Sequence, residues 1–245
     1  MSGIDKKQVE DFFNKAAVTH QNENAVLDVA NGQQHSNIYR NYFTTKYIIK
    51  NLHPTSDNII LDFGCGVGRI SKKLSGLSKK VVGVDSNAAM IETAKQKFAA
   101  NNIEYFLLND FKIPEGNNQF DAAFSHWVFQ HINDEESVMW LNELKRILKP
   151  TGKILMFEQV KNETKESDKH LFRSLAHYKN LIEKSELKLT AFFPVMRVPA
   201  RGMSVWNKLP SIKILLPMLS FIDTITINRK PALADYFTYC FVLSK

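Results

Sequence analysis

The stretch LDFGCGVGR, residues 61–69, decides the fold. A short apolar run ends in an acid, and three glycines then follow at alternate positions, Gly64, Gly66 and Gly68. Glycines at the end of a strand let the backbone turn sharply and approach a ligand without clashes from Cβ atoms. Ligands of open parallel sheets bind at the carboxyl ends of the strands. The loop therefore predicts a ligand site directly after the first strand of such a sheet.

Strand and helix patterns alternate on both sides of this loop. Strands are predicted over 58–63, 80–85, 103–108, 120–125, 153–160, 187–195 and 235–245, and helices over 67–77, 87–102, 134–148 and 170–185. This alternation predicts an α/β fold, a doubly wound and mostly parallel sheet with helices on both faces. We expect an N-terminal helical cap over 1–55, then one α/β domain over 56–245 with an insertion at about 196–233.

Composition narrows the class of protein. With 245 residues and 44% hydrophobic content, the chain is long enough for one sizeable core. The formal net charge is +7, and residues 191–245 hold +5 of it, with seven Lys and Arg against two Asp. The two cysteines have no metal-ligand spacing, so we expect no metal site and no disulfide framework. Because no signal-peptide core or long apolar span is apparent, we expect a cytoplasmic protein.

Two nucleotide-binding patterns fail at the glycine loop. The dinucleotide fingerprint G-x-G-x-x-G, read from Gly64, requires a glycine where the chain has Arg69. The phosphate-binding loop fails as well, because no Gly-Lys-Ser/Thr follows. An NAD-dependent oxidoreductase is therefore disfavoured. Asp85, at the end of the second predicted strand, suits two vicinal ribose hydroxyls. Asp85 or Ser86 also suits the N-cap of the next helix, and the two interpretations are compatible.

Five segments, taken together and in order, resemble one known protein family. They are LDFGCGVGR (61–69), VVGVDSNAAMI (81–91), NDF (109–111), FDAAFSHWVFQHI (120–132) and LKRILKPTGKILM (144–156). Their order and spacing resemble the class I S-adenosylmethionine-dependent methyltransferases, in particular small-molecule and glycan enzymes similar to the ubiquinone/menaquinone methyltransferase-like superfamily. The resemblance is strongest over residues 40–160. It implies S-adenosyl-L-methionine as the cofactor and a seven-stranded Rossmann-like sheet, with the last strand antiparallel between strands five and six.

The resemblance also implies roles for individual residues. It assigns the methionine moiety to Asp62, Gly64, Gly66 and Gly68, the ribose to Asp85, the adenosine to Ser86 and Met90, the adenine to Asp110 and Phe111, the sulfonium region to Ser125, His126 and Trp127, and the methionyl carboxylate to Arg40 or Tyr39. The candidate catalytic bases are His126 and His131. A base is needed if the acceptor is a hydroxyl, and less so for a stabilised carbanion, a phenolate or an amine.

Motifs that are absent from the sequence exclude some classes of methyl acceptor. Residues 125–128 read SHWV, unlike the tetrad of nucleic-acid amino methyltransferases, and no RNA-binding module is apparent, so we expect no nucleic-acid partner. We expect methyl transfer to a small-molecule, sugar (glycan) or lipid-linked acceptor, with O-methylation favoured. A quinone-type C-methyltransferase and a non-catalytic S-adenosylmethionine-binding partner protein are the alternatives. Residues 209–225 suit either a peripheral membrane contact or a helical lid or dimer contact.

Overall fold

The computed structural model describes residues 4–19, 34–199, 213–226 and 234–245. Nine strands lie in these ranges: β1 (Ile59–Phe63), β2 (Lys80–Asp85), β3 (Ile103–Leu107), β4 (Phe120–His126), β5 (Leu148–Val160), β6 (Lys165–Glu166), β7 (Leu171–Phe172), β8 (Lys188–Pro199) and β9 (Ala234–Ser244). The helices are α1 (Lys6–Thr19), α2 (Gln34–Leu52), α3 (Arg69–Ser75), α4 (Ala88–Lys97), α5 (Asp134–Ile147), α6 (Leu175–Lys184) and α7 (Leu216–Thr226). Short 3-10 turns span Phe129–His131 and Lys213–Leu215.

The main sheet has seven strands in the order β3-β2-β1-β4-β5-β9-β8. The strands from β3 to β5 run parallel, and β9 runs antiparallel to both of its neighbours. The strand order reverses between β1 and β4, and that switch point opens a crevice at the carboxyl edge. The predicted doubly wound, mostly parallel sheet with a late antiparallel strand is confirmed.

Helices bury both faces of the sheet. Alternate residues of β5 show this, since Leu155 and Phe157 pack with α2 and α3 while Ile154 and Met156 pack with α5 and α6. Strands buried on both faces read as nearly continuous apolar runs, which is why the sequence predicted most of them. No helix in the described ranges is long and apolar enough to cross a bilayer.

Several element boundaries differ from the sequence-based expectation. Helix α3 begins at Arg69 rather than 67, because Gly68 has a φ of 80°, which is not helical. Helix α4 ends at Lys97, short of the predicted 102. Strand β5 begins at Leu148 rather than 153, since Leu148 already pairs with Phe120. The prediction of an irregular 196–233 insertion falls partly on residues 200–212 and 227–233, outside the described residues, but β8 and α7 form part of it.

Candidate functional site

A cavity of about 660 Å³ opens at the carboxyl edge of the sheet, beside the strand-order switch. That volume lies within the usual range for small-molecule sites. Residues at the ends of β1, β2, β3, β4 and β5 line it, together with residues from α1, α2 and the β6–β7 hairpin. Given the sheet order, the ends of β1, β2 and β3 form one half of the cavity and the ends of β4 and β5 the other.

The glycine loop forms the floor of the first half. Gly64, Gly66 and Gly68 have φ angles of 74°, 53° and 80°, in the left-handed region that favours glycine. The N–H of Gly64 donates to the Val84 carbonyl at 2.8 Å, which ties the loop to β2. A Cβ atom on Gly64 would lie 2.3 Å from Val128. Side chains are therefore excluded at the three glycine positions by backbone strain and, at Gly64 and Gly68, also by space.

Asp85 is half-buried at the end of β2 and lines the cavity. Its Oδ2 accepts from the N–H of Gly66 at 2.8 Å, and its Oδ1 accepts from the N–H of Asn87 at 2.9 Å. Burial raises the pKa of the Asp85 carboxyl, although these backbone donors oppose the shift. The N-cap of α4 is Asn87, whose side chain accepts from the N–H of Met90. The prediction that Asp85 or Ser86 fills the cap is therefore wrong, and both residues line the cavity.

Asp110 and Phe111 line the cavity after β3, and both are exposed. The Phe111 ring packs against Trp140 of α5, with 5.1 Å between ring centroids. An aromatic face and a carboxylate at the rim are suited to a purine ring and its amino group.

His126 lies at the end of β4, on the other half of the cavity. Its Nε2 is 3.2 Å from Thr44 Oγ1, and its ring stacks on Trp127 at a centroid distance of 4.6 Å. Burial, reinforced by the positive charge of Arg69, holds the pKa of His126 well below its usual range. The ring is therefore neutral near pH 7. Arg40 of α2 is buried and also lines the cavity.

His131 follows on the 3-10 turn after β4 and lines the same half. Its Nδ1 lies 2.8 Å from the Lys169 carbonyl oxygen. A carbonyl only accepts, so Nδ1 carries the proton and Nε2 is the lone-pair nitrogen of the neutral ring. Burial, aided by neighbouring His170, lowers the pKa of His131 to about 4. The arrangement gives an uncharged imidazole of defined tautomer.

Four residues assigned by resemblance do not line the cavity: Tyr39, Asp62, Gly68 and Ser125. Asp62 is buried behind the glycine loop and accepts from Ser71 Oγ at 2.6 Å. Burial raises its pKa to about 7. Gly68 faces Tyr105, whose hydroxyl would lie 2.3 Å from an added Cβ atom. Asp62 and Gly68 therefore shape the loop from behind rather than from the cavity.

Ser125 is fully buried, and its Oγ has no hydrogen-bond partner in the part of the chain that the structure describes. An unpaired buried hydroxyl is uncommon in folded proteins. It lies one residue before His126, at the end of the strand that borders the cavity.

The sequence did not reveal the walls that lie outside the sheet. Helix α1 lines the cavity with Phe12 and Phe13, and the β6–β7 hairpin lines it with His170 and Phe172. The strands of that hairpin have two residues each and carry no periodic pattern that could have indicated them. For α1 the sequence offers two adjacent aromatic residues, Phe12 and Phe13, which a helical segment could equally use for packing.

A buried polar network behind the turn was also missed. Glu158 is fully buried, and its Oε1 accepts from the N–H groups of Val128 and Phe129, each at 3.0 Å. Arg173, fully buried as well, donates to the carbonyls of Phe129 and Ile132, each at 2.6 Å. Glu158 therefore fixes the turn after β4.

The cavity fits the cofactor that the resemblance implies. A floor of glycines in left-handed conformations admits a ligand close to the backbone. Asp85, one strand away, carries a carboxylate for paired hydroxyls, and the exposed face of Phe111 lies beyond it. The resemblance assigns these features to methionine, ribose and adenine, and they follow one another in that order at the ends of β1, β2 and β3. Among the described residues, no cluster of three or more His, Cys, Asp or Glu is arranged to hold a metal ion.

Comparisons with known proteins agree with this geometry. Residues 60–152 match the family model described as a methyltransferase domain. The chain is 32% identical over 123 residues to an uncharacterized methyltransferase of Anoxybacillus flavithermus, covering 50% of this chain and 56% of that protein. It is 31% identical over 153 residues to a malonyl-acyl-carrier-protein O-methyltransferase of Buchnera aphidicola, covering 62% and 54%. A demethylmenaquinone methyltransferase of Lactococcus lactis is 29% identical over 164 residues, covering 64% and 61%.

Each of these alignments thus spans less than two thirds of the relative's own length. Among solved structures, an S-adenosylmethionine-dependent methyltransferase of Leishmania major superimposes with a TM-score of 0.69 at 17% identity, covering 97% of this chain and 82% of that one. The cyclase SpnF superimposes with a TM-score of 0.68 at 14% identity, covering 100% and 97%. At such identities the likeness concerns the fold alone. Residues 60–152 therefore match a methyltransferase domain, and the chain has the fold of the class I S-adenosylmethionine-dependent methyltransferases.

Proposed function

We propose that the chain transfers a methyl group from S-adenosyl-L-methionine to a hydroxyl oxygen of a small-molecule acceptor. The observation that supports this most is that most of the proposed cofactor residues and two neutral histidines line one cavity. The similarity to a carrier-protein O-methyltransferase is consistent with it. Sugar and lipid-linked acceptors, predicted from the sequence, belong to the same proposal.

In this proposal the first half of the cavity holds the cofactor. Asp85 accepts from the ribose hydroxyls, Asp110 and Phe111 meet the adenine, and Arg40 pairs with the methionyl carboxylate. The glycine loop, with Asp62 behind it, admits the methionine moiety, and Ser86 and Met90 border the adenosine. Ser125 shapes the region beside the sulfonium. When bound, the cofactor supplies a methyl group that is already activated by its sulfonium.

The residues of the second half orient the acceptor and take its proton. Holding a nucleophile in line contributes about 7–11 kcal/mol in favourable cases. An aliphatic hydroxyl has a high pKa and needs a positioned base. His131 Nε2 is a lone-pair nitrogen on a neutral ring whose orientation the Lys169 carbonyl fixes. His126, beside Thr44, is the second candidate.

Two alternative functions are each supported by a specific similarity. A quinone-type C-methyltransferase is favoured by the similarity to the demethylmenaquinone enzyme of L. lactis. A non-catalytic binding protein, or one with other chemistry, is favoured by the likeness to a cyclase of the same fold. The first alternative differs from the proposal because a carbon atom receives the methyl group. The second differs because no methyl group is transferred.

The test uses cofactor carrying a ¹³C-labelled methyl group, incubated with fractionated small-molecule extracts. The proposal expects labelled product whose methyl carbon shift is that of an O–CH₃ group. It also expects His131→Ala or His126→Ala to lose the rate while keeping cofactor affinity, with Thr190→Ala, on the exposed face of β8, as the matched control. A C–CH₃ signal would favour the quinone-type alternative. Cofactor binding without labelled product in any fraction would favour the binding protein.

We also propose that α7 contacts an anionic membrane surface. Met218, Phe221 and Ile222 of α7 are exposed, by 52%, 63% and 45%, at the spacing of one helical face, and Ile214 of the preceding 3-10 turn is exposed by 87%. Lys213, Arg229 and Lys230 flank the helix in the sequence, and basic residues beside an apolar helical face favour anionic lipid. Part of the predicted contact segment 209–225, namely 209–212, lies outside the described residues.

Sedimentation with vesicles tests this contact. We expect binding to phosphatidylglycerol vesicles, weaker binding to phosphatidylcholine, and loss of binding in Phe221→Asp. Phe192→Asp, at an exposed aromatic residue on β8, is the control. Equal binding of Phe221→Asp and wild type would contradict the proposal.

A further inference from the structure

A continuous series of aromatic rings walls the cavity on the side of α1 and the β6–β7 hairpin. Its α1 end packs beside Met90 in the first half, and its other end lies with His131 in the second half. Successive ring centroids along it lie between 4.7 and 5.2 Å apart, within the range in which ring pairs attract each other. Three elements distant in sequence contribute to it: α1, the turn after β4 and the β6–β7 hairpin. The members of this aromatic series are Phe12, Phe13, His131, His170 and Phe172, and all five line the cavity.

The three elements are fastened to one another. The N–H of Asp5, just before α1, donates to the carbonyl of Asp168 in the hairpin at 2.8 Å. The carbonyl of Lys169 accepts from His131 Nδ1, which joins the hairpin to the turn. Lys6 of α1 forms an ion pair with Glu136 of α5. The ring series is therefore held in place before any ligand arrives, which lowers the cost of ordering it on binding.

The charge around the series disfavours an anionic ligand. Lys161 and Lys169 lie over rings of the series, at 4.6 and 5.5 Å from the centroids, and do not line the cavity. The cations that line it in the described part of the chain are Lys6, which pairs with Glu136, and Arg40, which the proposed function assigns to the methionyl carboxylate. A phosphate or carboxylate on the acceptor would have no further cation at this end.

One polar group is available beside the rings. Gln130 lines the cavity, and its Nε2 lies 3.3 Å from His131 Nε2. Because that ring nitrogen is an acceptor, the amide must present its NH₂ group to it, which fixes the orientation of the amide. Gln130 Oε1 is then a buried acceptor with no hydrogen-bond partner among the described residues. A hydroxyl on the ligand would satisfy it.

We infer that the aromatic series is the acceptor subsite and that it takes an uncharged aromatic ring carrying a hydroxyl group. The ring stacks on the series, and its hydroxyl donates to Gln130 Oε1 in the bound complex. For proton transfer the hydroxyl replaces the Gln130 NH₂ group at His131 Nε2, because the single lone pair of that nitrogen accepts from one donor at a time. A sugar would bring several hydroxyls that each need a partner to offset the loss of water. The inference rests on the proposed function in one respect, since it gives the other half of the cavity to the cofactor.

Calorimetric titration tests this inference without requiring turnover. With S-adenosylhomocysteine at saturation, 2-naphthol and glucose 1-phosphate are the two probes. We expect 2-naphthol to bind more tightly. We expect Phe13→Ala and Phe172→Ala each to weaken its binding by about 2- to 12-fold, the range of one aromatic pair. Phe172→Leu, which keeps apolar bulk without a ring, should also weaken it. Phe192→Ala, at an exposed ring outside the cavity, should not.

The inference is overturned if glucose 1-phosphate binds more tightly, if neither probe binds while S-adenosylhomocysteine does, or if the three cavity variants bind 2-naphthol like wild type. The cofactor titration that precedes each experiment separates this failure from failure of the proposed function. Loss of S-adenosylhomocysteine binding by the wild type would remove the proposed function, and the subsite with it.

Discussion

Replacing Arg173 with methionine should destabilise the protein strongly, because its guanidinium holds the turn between β4 and α5. The side chain is fully buried. It donates to the carbonyls of Phe129 and Ile132 at 2.6 Å and to Asp134 Oδ1 at 2.9 Å. Methionine has similar length but no donor. Arg173→Met therefore leaves two carbonyls unpaired and removes the cation near the buried carboxylate of Glu158.

The expected loss follows from these contacts. Each carbonyl left without a donor costs about 1–3 kcal/mol, so the two carbonyls together cost about 2–6 kcal/mol. The ion pair with Asp134 adds little, because the Asp134 side chain is 45% exposed and exposed pairs contribute about 0–1 kcal/mol. We expect Arg173→Met to lower the free energy of unfolding by about 2–6 kcal/mol. The double variant Arg173→Met/Glu158→Gln should lose less than the sum of the single variants, by about 0.5–3 kcal/mol.

The loss should depend on pH. Burial raises the pKa of Glu158 to about 7 from the model-peptide value of 4.5, against the backbone donors and the Arg173 charge, which lower it. Between these values the native state binds more protons than the unfolded state, so stability falls as pH rises through that window. Without Arg173 the pKa of Glu158 rises further. The destabilisation by Arg173→Met should therefore be larger at pH 8 than at pH 6.

Urea denaturation at both pH values measures these differences. Lys145→Met is the control, since Lys145 pairs with exposed Glu186 and surface pairs contribute about 0–1 kcal/mol. If Arg173→Met loses no more stability than Lys145→Met, or if the single losses add in the double variant, the assignment of this network is wrong.

Two further predictions concern the loop and the histidine. Gly68→Ala should lower the free energy of unfolding by about 2–4 kcal/mol, from left-handed backbone strain and the clash with the Tyr105 hydroxyl. Gly116→Ala, where an added Cβ would have no neighbour closer than 3.5 Å, should cost much less in the same chemical denaturation, and equal losses would contradict the reasoning. If His131 takes the proton, the pH–rate profile should rise near pH 4, the value to which burial lowers its pKa, and stay level through pH 7. A midpoint near 6.5 would argue against His131.

The sheet and the glycine loop could be predicted from the sequence because their signals are local. Strands buried on both faces read as apolar runs, as in KVVGVD, where the predicted 80–85 agrees with Lys80–Asp85. The start of β5 at Leu148 could not be predicted from the sequence, because Pro150 and Gly152 are typical of a turn. In the structure a Cβ on Gly152 would lie 2.7 Å from Leu148, so glycine is needed there for packing within the strand.

The remainder of the site depends on tertiary contacts that no local pattern carries. Glu158 and Arg173 are charged residues, which are mostly exposed in proteins, and only their mutual placement behind the turn explains their burial. The hairpin that carries His170 meets α1 across more than 150 residues of sequence. The two histidines were predicted as candidates and line the cavity, but the tautomer of His131 depends on a carbonyl that only the fold brings near.

The most direct test of the account is a calorimetric titration of S-adenosylhomocysteine into wild type, Asp85→Ala and Asp57→Ala. Asp57 is an exposed acid before β1, at the opposite edge of the sheet, so its removal controls for loss of a charge. Hydrogen bonds to a charged group contribute about 1.5–3 kcal/mol each, so losing one to the ribose should weaken binding by about 10- to 150-fold. The account predicts that loss in Asp85→Ala alone. Equal affinities for all three proteins would contradict it.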